Sequence, residues 1–318
     1  MNSHLRWLRQ SCGVLAASLL IAATAVGQKR AADSEAVAAK VADHAITVGE
    51  VSAAVRATFG DRSLDGAVQT QAEAQTLEQL INRRLVLLAL DRARITASGE
   101  EIAAAKKKLS GASSKPDGSQ LAEQADWQVR WNKYLGQQIT DRRLEEFFDA
   151  HRRDFDGTEV RVGHILFQGD ALGNPAVRRQ LVERAAQLRR EIVGGETTFA
   201  AAAEKYSAGP SRSSGGDLGF IPRHERMVES FSKAAFALGK GEISPAIVTP
   251  FGVHLIQCTD LRPGTKTWAD VRSALAAAYA QDQFHKLADE MRPSVAIEYN
   301  PAVPHLDLKT GQIVGGRS

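Results

Sequence analysis

Three short segments limit what the second half of this chain can fold into: Val162-Gly163-His164-Ile165-Leu166, Ser214-Gly215-Gly216-Asp217-Leu218-Gly219 and Thr249-Pro250-Phe251-Gly252-Val253-His254. The first and last set a histidine among β-branched and apolar residues next to glycines, which predicts strands at 160–167 and 252–259. The middle segment is a glycine-rich turn. Between them the spacing predicts helices. One covers 176–193, with Val177, Leu181, Ala185, Leu188 and Ile192 along one face and Gly194-Gly195 at its end. Two more cover 199–206 and 227–238. An opening strand, several helices and a closing strand make an α+β unit over 159–260.

The rest of the chain is mostly helical in pattern. Residues 37–48 predict a strand or hairpin around Asp43-His44 that runs into a helix from Gly49. In the helix expected at 76–92, Leu77, Leu80, Ile81, Leu85 and Leu88 form an apolar stripe that leaves Glu78, Asn82 and Arg92 outside. Ser98 is placed to cap a helix over 99–109 ahead of Glu101. A loop at 111–119 precedes helices at 121–136 and 140–155, the second capped by Thr140. Trp127, Trp131 and Tyr134 recur at helical spacing, as core residues do, the alternative being an exposed patch for unfolded chains. After the α+β unit, 267–292 predicts one more helix, with Trp268, Val271, Leu275 and Tyr279 on one side, and an extended tail follows Pro293. The arginines at 178, 179, 184, 189 and 190 read as the solvated face of their helix.

The N-terminus carries an export signal by composition. His4, Arg6 and Arg9 precede an uncharged apolar run from Gly13 to Val26, and Ala23-Thr24-Ala25 offers the small residues of a cleavage site. The run is shorter than the roughly 20 residues a membrane-spanning helix needs. Cleavage removes Cys12, which leaves Cys258 alone, without a disulfide partner and placed as a small core residue. The formal charge of +3, reduced to +1 without Arg6 and Arg9, gives no ground for nucleic-acid binding. With 43% hydrophobic and 24% charged residues the chain can build a sizeable core.

No phosphate loop or nucleophile elbow accompanies the histidines. Metal binding by His164, His254 and Cys258 is a poor fit, since residues four apart in a strand stand about 13 Å apart. Six segments in order, Val162–Leu166, Phe199–Ser207, Ser214–Gly219, Met227–Phe231, Gly239–Ser244 and Thr249–Ile256, resemble a parvulin-type peptidyl-prolyl isomerase domain. The flanking parts, including Val41–Thr47, are similar to exported foldases of the SurA and PrsA kind. The resemblance implies a parvulin-like antiparallel sheet with flanking helices, inserted in a mainly helical chaperone-like domain. The divisions it suggests are a signal at 1–25, helical domain at 26–155, isomerase domain at 159–260, a helix at 265–298 packing on the N-terminal domain, and a tail at 299–318.

The chemistry so implied is non-covalent and needs neither cofactor nor metal. An X–Pro amide turns over tens to hundreds of seconds because of its partial double bond, and a catalyst must fit the twisted amide better than either planar form. By resemblance, Met227, Phe231 and Phe251 line the proline pocket with Leu218 beside them. His164 and His254 are the family's paired histidines, with rings hydrogen-bonded to each other, and Thr249 supplies a hydroxyl. One position departs: Gly209 stands where parvulins carry Cys or Asp, which implies reduced activity, and Ser207 and Ser211 are the nearby hydroxyls. The expected partners are unfolded or partly folded exported chains with X–Pro bonds, with a membrane involved only if the signal stays uncleaved. The alternative is a chaperone that holds proline-containing segments with little or no isomerase activity.

Overall fold

The computed structural model describes residues 34–60, 64, 66–110, 118–169, 174–224 and 226–316. The expected signal at 1–25 lies outside them. The described residues form two compact units, one of 34–131 with 284–316 and one of 132–283.

The first unit opens with an antiparallel hairpin, β1 (Val37–Val41) and β2 (His44–Thr47), turning at Ala42-Asp43. Helix α1 (Val48–Phe59) starts on a reciprocal cap: the Thr47 hydroxyl accepts the Glu50 N–H, and the Glu50 carboxylate accepts the Thr47 N–H at 2.6 Å. Helix α2 spans Gly66–Arg92, ten residues longer at its start than the apolar stripe predicts. Leu77, Ile81 and Leu85 are fully buried, joined by Val86 and Leu90. Glu78, expected outside the stripe, is buried as well. Arg292, from the C-terminal segment, ion-pairs with it and the Tyr299 hydroxyl donates to it at 3.3 Å. A buried carboxylate requires such partners. Burial still raises the Glu78 pKa, against the pull of Arg292.

Helix α3 (Gly99–Leu109) is capped by Ser98 and Glu101 as the sequence predicts, and α4 covers Gly118–Gln138. In α4, Trp127 and Trp131 stack at 5.4 Å and both meet the edge of Phe284. The buried Arg130 donates to the carbonyls of Leu87 and Ile95 and pairs with Asp91 at 2.6 Å.

In the second unit, Thr140 caps α5 (Asp141–Ala150), but the predicted helix over 140–155 breaks at His151 and resumes as a single turn, Arg152–Phe155. Strand β3 (Glu159–Gln168) leads to α6 (Pro175–Val193), which starts on Asn174 with Pro175 in its first turn. Helix α7 (Phe199–Tyr206), β4 (Asp217–Pro222), α8 (Glu229–Ala237), β5 (Ile247–Thr249) and β6 (Gly252–Arg262) follow. The sheet is antiparallel in the order β4-β3-β6-β5. The sequence predicts only its two central strands. Strand β4 is short and follows two glycines, and β5 has three residues, so neither carries a periodic signal of its own.

Alternation along β3 and β6 sorts the core into two layers. Ile165, Phe167, Val253 and Leu255 face α6 and α7, where Ala185, Leu188, Phe199 and Ala203 cover them. Val162, Ile256 and Cys258 face α8 with its Phe231, Ala235 and Phe236. Cys258 is buried, and burial raises its thiol pKa, consistent with a packing role.

The chain continues in α9 (Arg272–Met291), where Leu275 and Tyr279 pack with Leu144 and Phe148. It then supplies β7 (Ile297–Tyr299), which pairs with β1 in the first unit, and a small hairpin of β8 (His305–Asp307) and β9 (Gln312–Val314). No helix among the described residues is long and apolar enough to cross a membrane.

Candidate functional site

The site lies on the α8 side of the second unit's sheet. Leu166 is directly opposite His254 and His164 opposite Ile256, so the two histidines are diagonal neighbours on one face of adjacent strands. Their rings stack at 5.7 Å with planes 22° apart. The expected hydrogen bond between them is not formed, and Nε2 of His254 bonds Thr249 instead. Neither nitrogen of His164 and not Nδ1 of His254 has a hydrogen-bond partner among the described residues.

What orients His254 is Thr249, whose hydroxyl oxygen lies 2.8 Å from Nε2 across the β5–β6 pairing. That hydroxyl also accepts the Phe251 N–H at 3.1 Å. When it donates its proton to Nε2, the imidazole proton sits on Nδ1. Burial lowers the pKa of both rings, and the neighbouring His164 takes His254 down further, to about 4. Both are neutral at physiological pH.

Phe231 completes the group. Its ring is 3% exposed and meets His254 edge-on at 5.5 Å and His164 at 6.0 Å. Leu218 and Met227 pack against the same buried cluster from its half-exposed margin. Met227 lies ahead of α8, which begins at Glu229 with Val228 as its uncapped N-terminal neighbour, so the predicted helix start at 227 is two residues early. Phe251 is not brought into the cluster: it stands on the β5–β6 turn with 60% of its surface exposed.

Two glycines hold backbone against His164. The His164 N–H donates to the Gly216 carbonyl at 2.9 Å, and a Cβ on Gly216, at φ +85°, would stand 2.6 Å from the His164 carbonyl oxygen. On the other side, a Cβ on Gly209 would stand 2.8 Å from His164 Nε2. Ser207 supplies no free hydroxyl oxygen nearby, since it accepts the N–H groups of Leu166 and Gly209, both at 3.1 Å. The Ser211 hydroxyl is buried without a partner among the described residues.

Of the helix arginines, two depart from a purely solvated role. Arg184 lies over the Phe167 and Tyr206 rings, and Arg189 donates to the Ile243 carbonyl at 3.1 Å.

Comparison with known proteins matches residues 164–260 to the PPIC-type PPIase (rotamase) domain and residues 1–115 to a SurA-like N-terminal domain. A foldase protein PrsA from Caldanaerobacter subterraneus is 27% identical over 216 residues, covering 67% of this chain and 65% of the relative. A chaperone SurA from Alkalilimnicola ehrlichii is 27% identical over 272 residues, covering 78% and 62%. Over a shorter stretch of 111 residues, a chaperone SurA from Salmonella typhimurium is 40% identical, covering 35% and 25%. The chain thus spans less than two thirds of the length of these curated relatives.

Proposed function

For a chain that is a parvulin-type rotamase-domain protein with a SurA-like N-terminal domain, we propose the activity of an exported peptidyl-prolyl cis/trans isomerase acting on X–Pro bonds of unfolded or folding exported chains. The observation that carries this reading is the cluster of Phe231, His164, His254 and Thr249 with Leu218 and Met227 at its edge. Leu218, Met227 and Phe231 offer an apolar, partly polarizable seat for a pyrrolidine ring. The neutral histidines, His254 held by Thr249 and His164 packed beside it, keep the floor of that seat uncharged. Removing the amide from water favours the twisted state, whose charge separation is smaller than that of the planar amide. No bond is made to the protein and no proton changes hands.

Phe251, on its exposed turn, contacts the residues flanking proline. The N-terminal segment and the chain after residue 265 serve as the client-holding part, at the divisions 26–155 and 265–298, and the chain is exported through its first 25 residues. Gly209 presents no thiol or carboxylate to the twisting carbonyl, which favours a second reading: a chaperone that holds proline-containing segments and isomerises them slowly or not at all.

Exchange of a short X–Pro peptide, followed by NMR with the purified protein and with Met227→Ala, separates the two. Catalysis predicts exchange peaks that weaken in the variant. Binding without faster exchange sinks the isomerase and leaves the chaperone. Sequencing the N-terminus of the exported product tests the signal.

A further inference from the structure

The first unit holds a cavity of about 390 Å3 whose wall includes His44, Glu50 and Glu123. These three come from β2, the first turn of α1 and α4, so no local motif announces them. One ligand atom from each lies within 4.8 Å of the others. We propose that His44, Glu50 and Glu123 bind one divalent transition-metal ion of the zinc class, which ties the N-terminal hairpin and α1 to α4.

The donor set suits such an ion. Imidazole nitrogen and carboxylate oxygen are both ordinary zinc ligands, and three protein donors leave the fourth tetrahedral position open to water. Zinc–ligand distances of about 2.0–2.2 Å put donors around one ion within the separation these three already keep. The cavity beside them has room for the water.

The supporting shell is already in place on one side. The Thr47 N–H and hydroxyl both donate to Glu50 Oε2, at 2.6 and 3.0 Å. This fixes the carboxylate and leaves Oε1 free, the way outer hydrogen bonds orient metal ligands. The His44 ring and the Glu123 carboxylate have no hydrogen-bond partner among the described residues. Burial lowers the Arg83 pKa against the opposing pull of Glu123, Asp126 and Glu50, and Arg84 shares the cavity wall with it. The Arg83 guanidinium, however, donates to the Glu123 backbone carbonyl at 3.3 Å and lies over the Trp127 ring, so the carboxylate lone pairs stay available. Arg130, on the same wall, is held by Asp91 and two carbonyls.

The test is zinc titration calorimetry on the untagged full chain after chelator treatment, near pH 7.5. One zinc per chain is expected. His44→Ala and Glu123→Gln should each weaken binding at least tenfold, His285→Ala should leave it unchanged, and zinc should raise the melting temperature of the parent but of neither site variant. Both site substitutions remove groups without other hydrogen bonds, and circular dichroism checks that each variant is folded. Absence of stoichiometric binding, or binding that survives both substitutions, overturns the site. Peptide isomerisation is measured on the same samples. Because the site is in the other unit, its loss with isomerase activity intact bears on the metal alone.

Discussion

A methyl group on Gly209 would stand 2.8 Å from Nε2 of His164 and 3.0 Å from its Cε1. Position 209 is therefore not an empty slot waiting for a thiol or carboxylate. The imidazole, 6% exposed and braced by Gly216, already occupies the space a side chain there would enter.

Gly209→Ala should consequently destabilise the protein by about 1–3 kcal/mol, the usual cost of overpacking. Gly209→Cys should lose at least as much and gain no isomerase activity. Urea unfolding midpoints and peptide exchange rates check both. An increase in rate on Gly209→Cys with stability unchanged would overturn the steric account.

The same contact predicts non-additivity. Combining Gly209→Ala with His164→Ala removes the clash, so the double variant should be more stable than the sum of the single losses implies. Coupling on the order of 1 kcal/mol is expected for residues in contact.

His254 gives a pH signature. With its folded pKa near 4 and an ordinary value of 6.5, the unfolded chain takes up the proton first as pH falls. Stability contributed by the neutral ring is complete above about pH 6.5 and is lost toward pH 4, with a slope of up to about 1.4 kcal/mol per pH unit. His164 shifts in the same direction through burial. Chemical denaturation between pH 7 and 4.5 should show a shallower slope in His254→Gln. NMR titration of the parent should find the ring neutral at pH 6.

Phe231 and Met227 should separate packing from binding. Phe231→Ala empties a buried position shared by both histidines and should cost roughly 3–5 kcal/mol. Met227→Ala, at the half-exposed margin, should cost much less stability while reducing peptide exchange several-fold. Equal stability losses would place Met227 in the core instead.

In the first unit, Arg130→Ala should cost about 1–3 kcal/mol. It leaves the Leu87 and Ile95 carbonyls without their buried donor, while the exposed Asp91 carboxylate returns to water. Loss of helical circular dichroism at lower temperature is the measurement.

Strands β3 and β6, the caps at Ser98 and Thr140, and the buried stripe Leu77-Ile81-Leu85 were legible in the sequence because each obeys a local period or cap rule. Glu78 was not. Its burial depends on Arg292 and Tyr299, more than two hundred residues away, and a helix stripe counts a carboxylate as surface. Strands β4 and β5 are held by pairing with β3 and β6 rather than by their own composition. The two histidines are legible as a motif, but the missing bond between their rings, with Thr249 as the partner of His254, shows only once the strands are paired. The cluster of His44, Glu50 and Glu123 carried no sequence signal, since three elements must fold before its members meet.

Strand β3 serves two masters. Residues of one parity, Ile165 and Phe167, are locked under α6 and α7, while of the other, Val162 packs toward α8 and His164 enters the site. Inserting or deleting one residue at its centre would exchange the parities, placing an imidazole in the apolar layer and an isoleucine in the site at a stroke. Change in chain length is therefore disfavoured at the centre of β3 unless a bulge absorbs it, as the register shift between Arg161 and Val162 does. It is left to the connections around the strand, where an added residue moves no side chain to the opposite face.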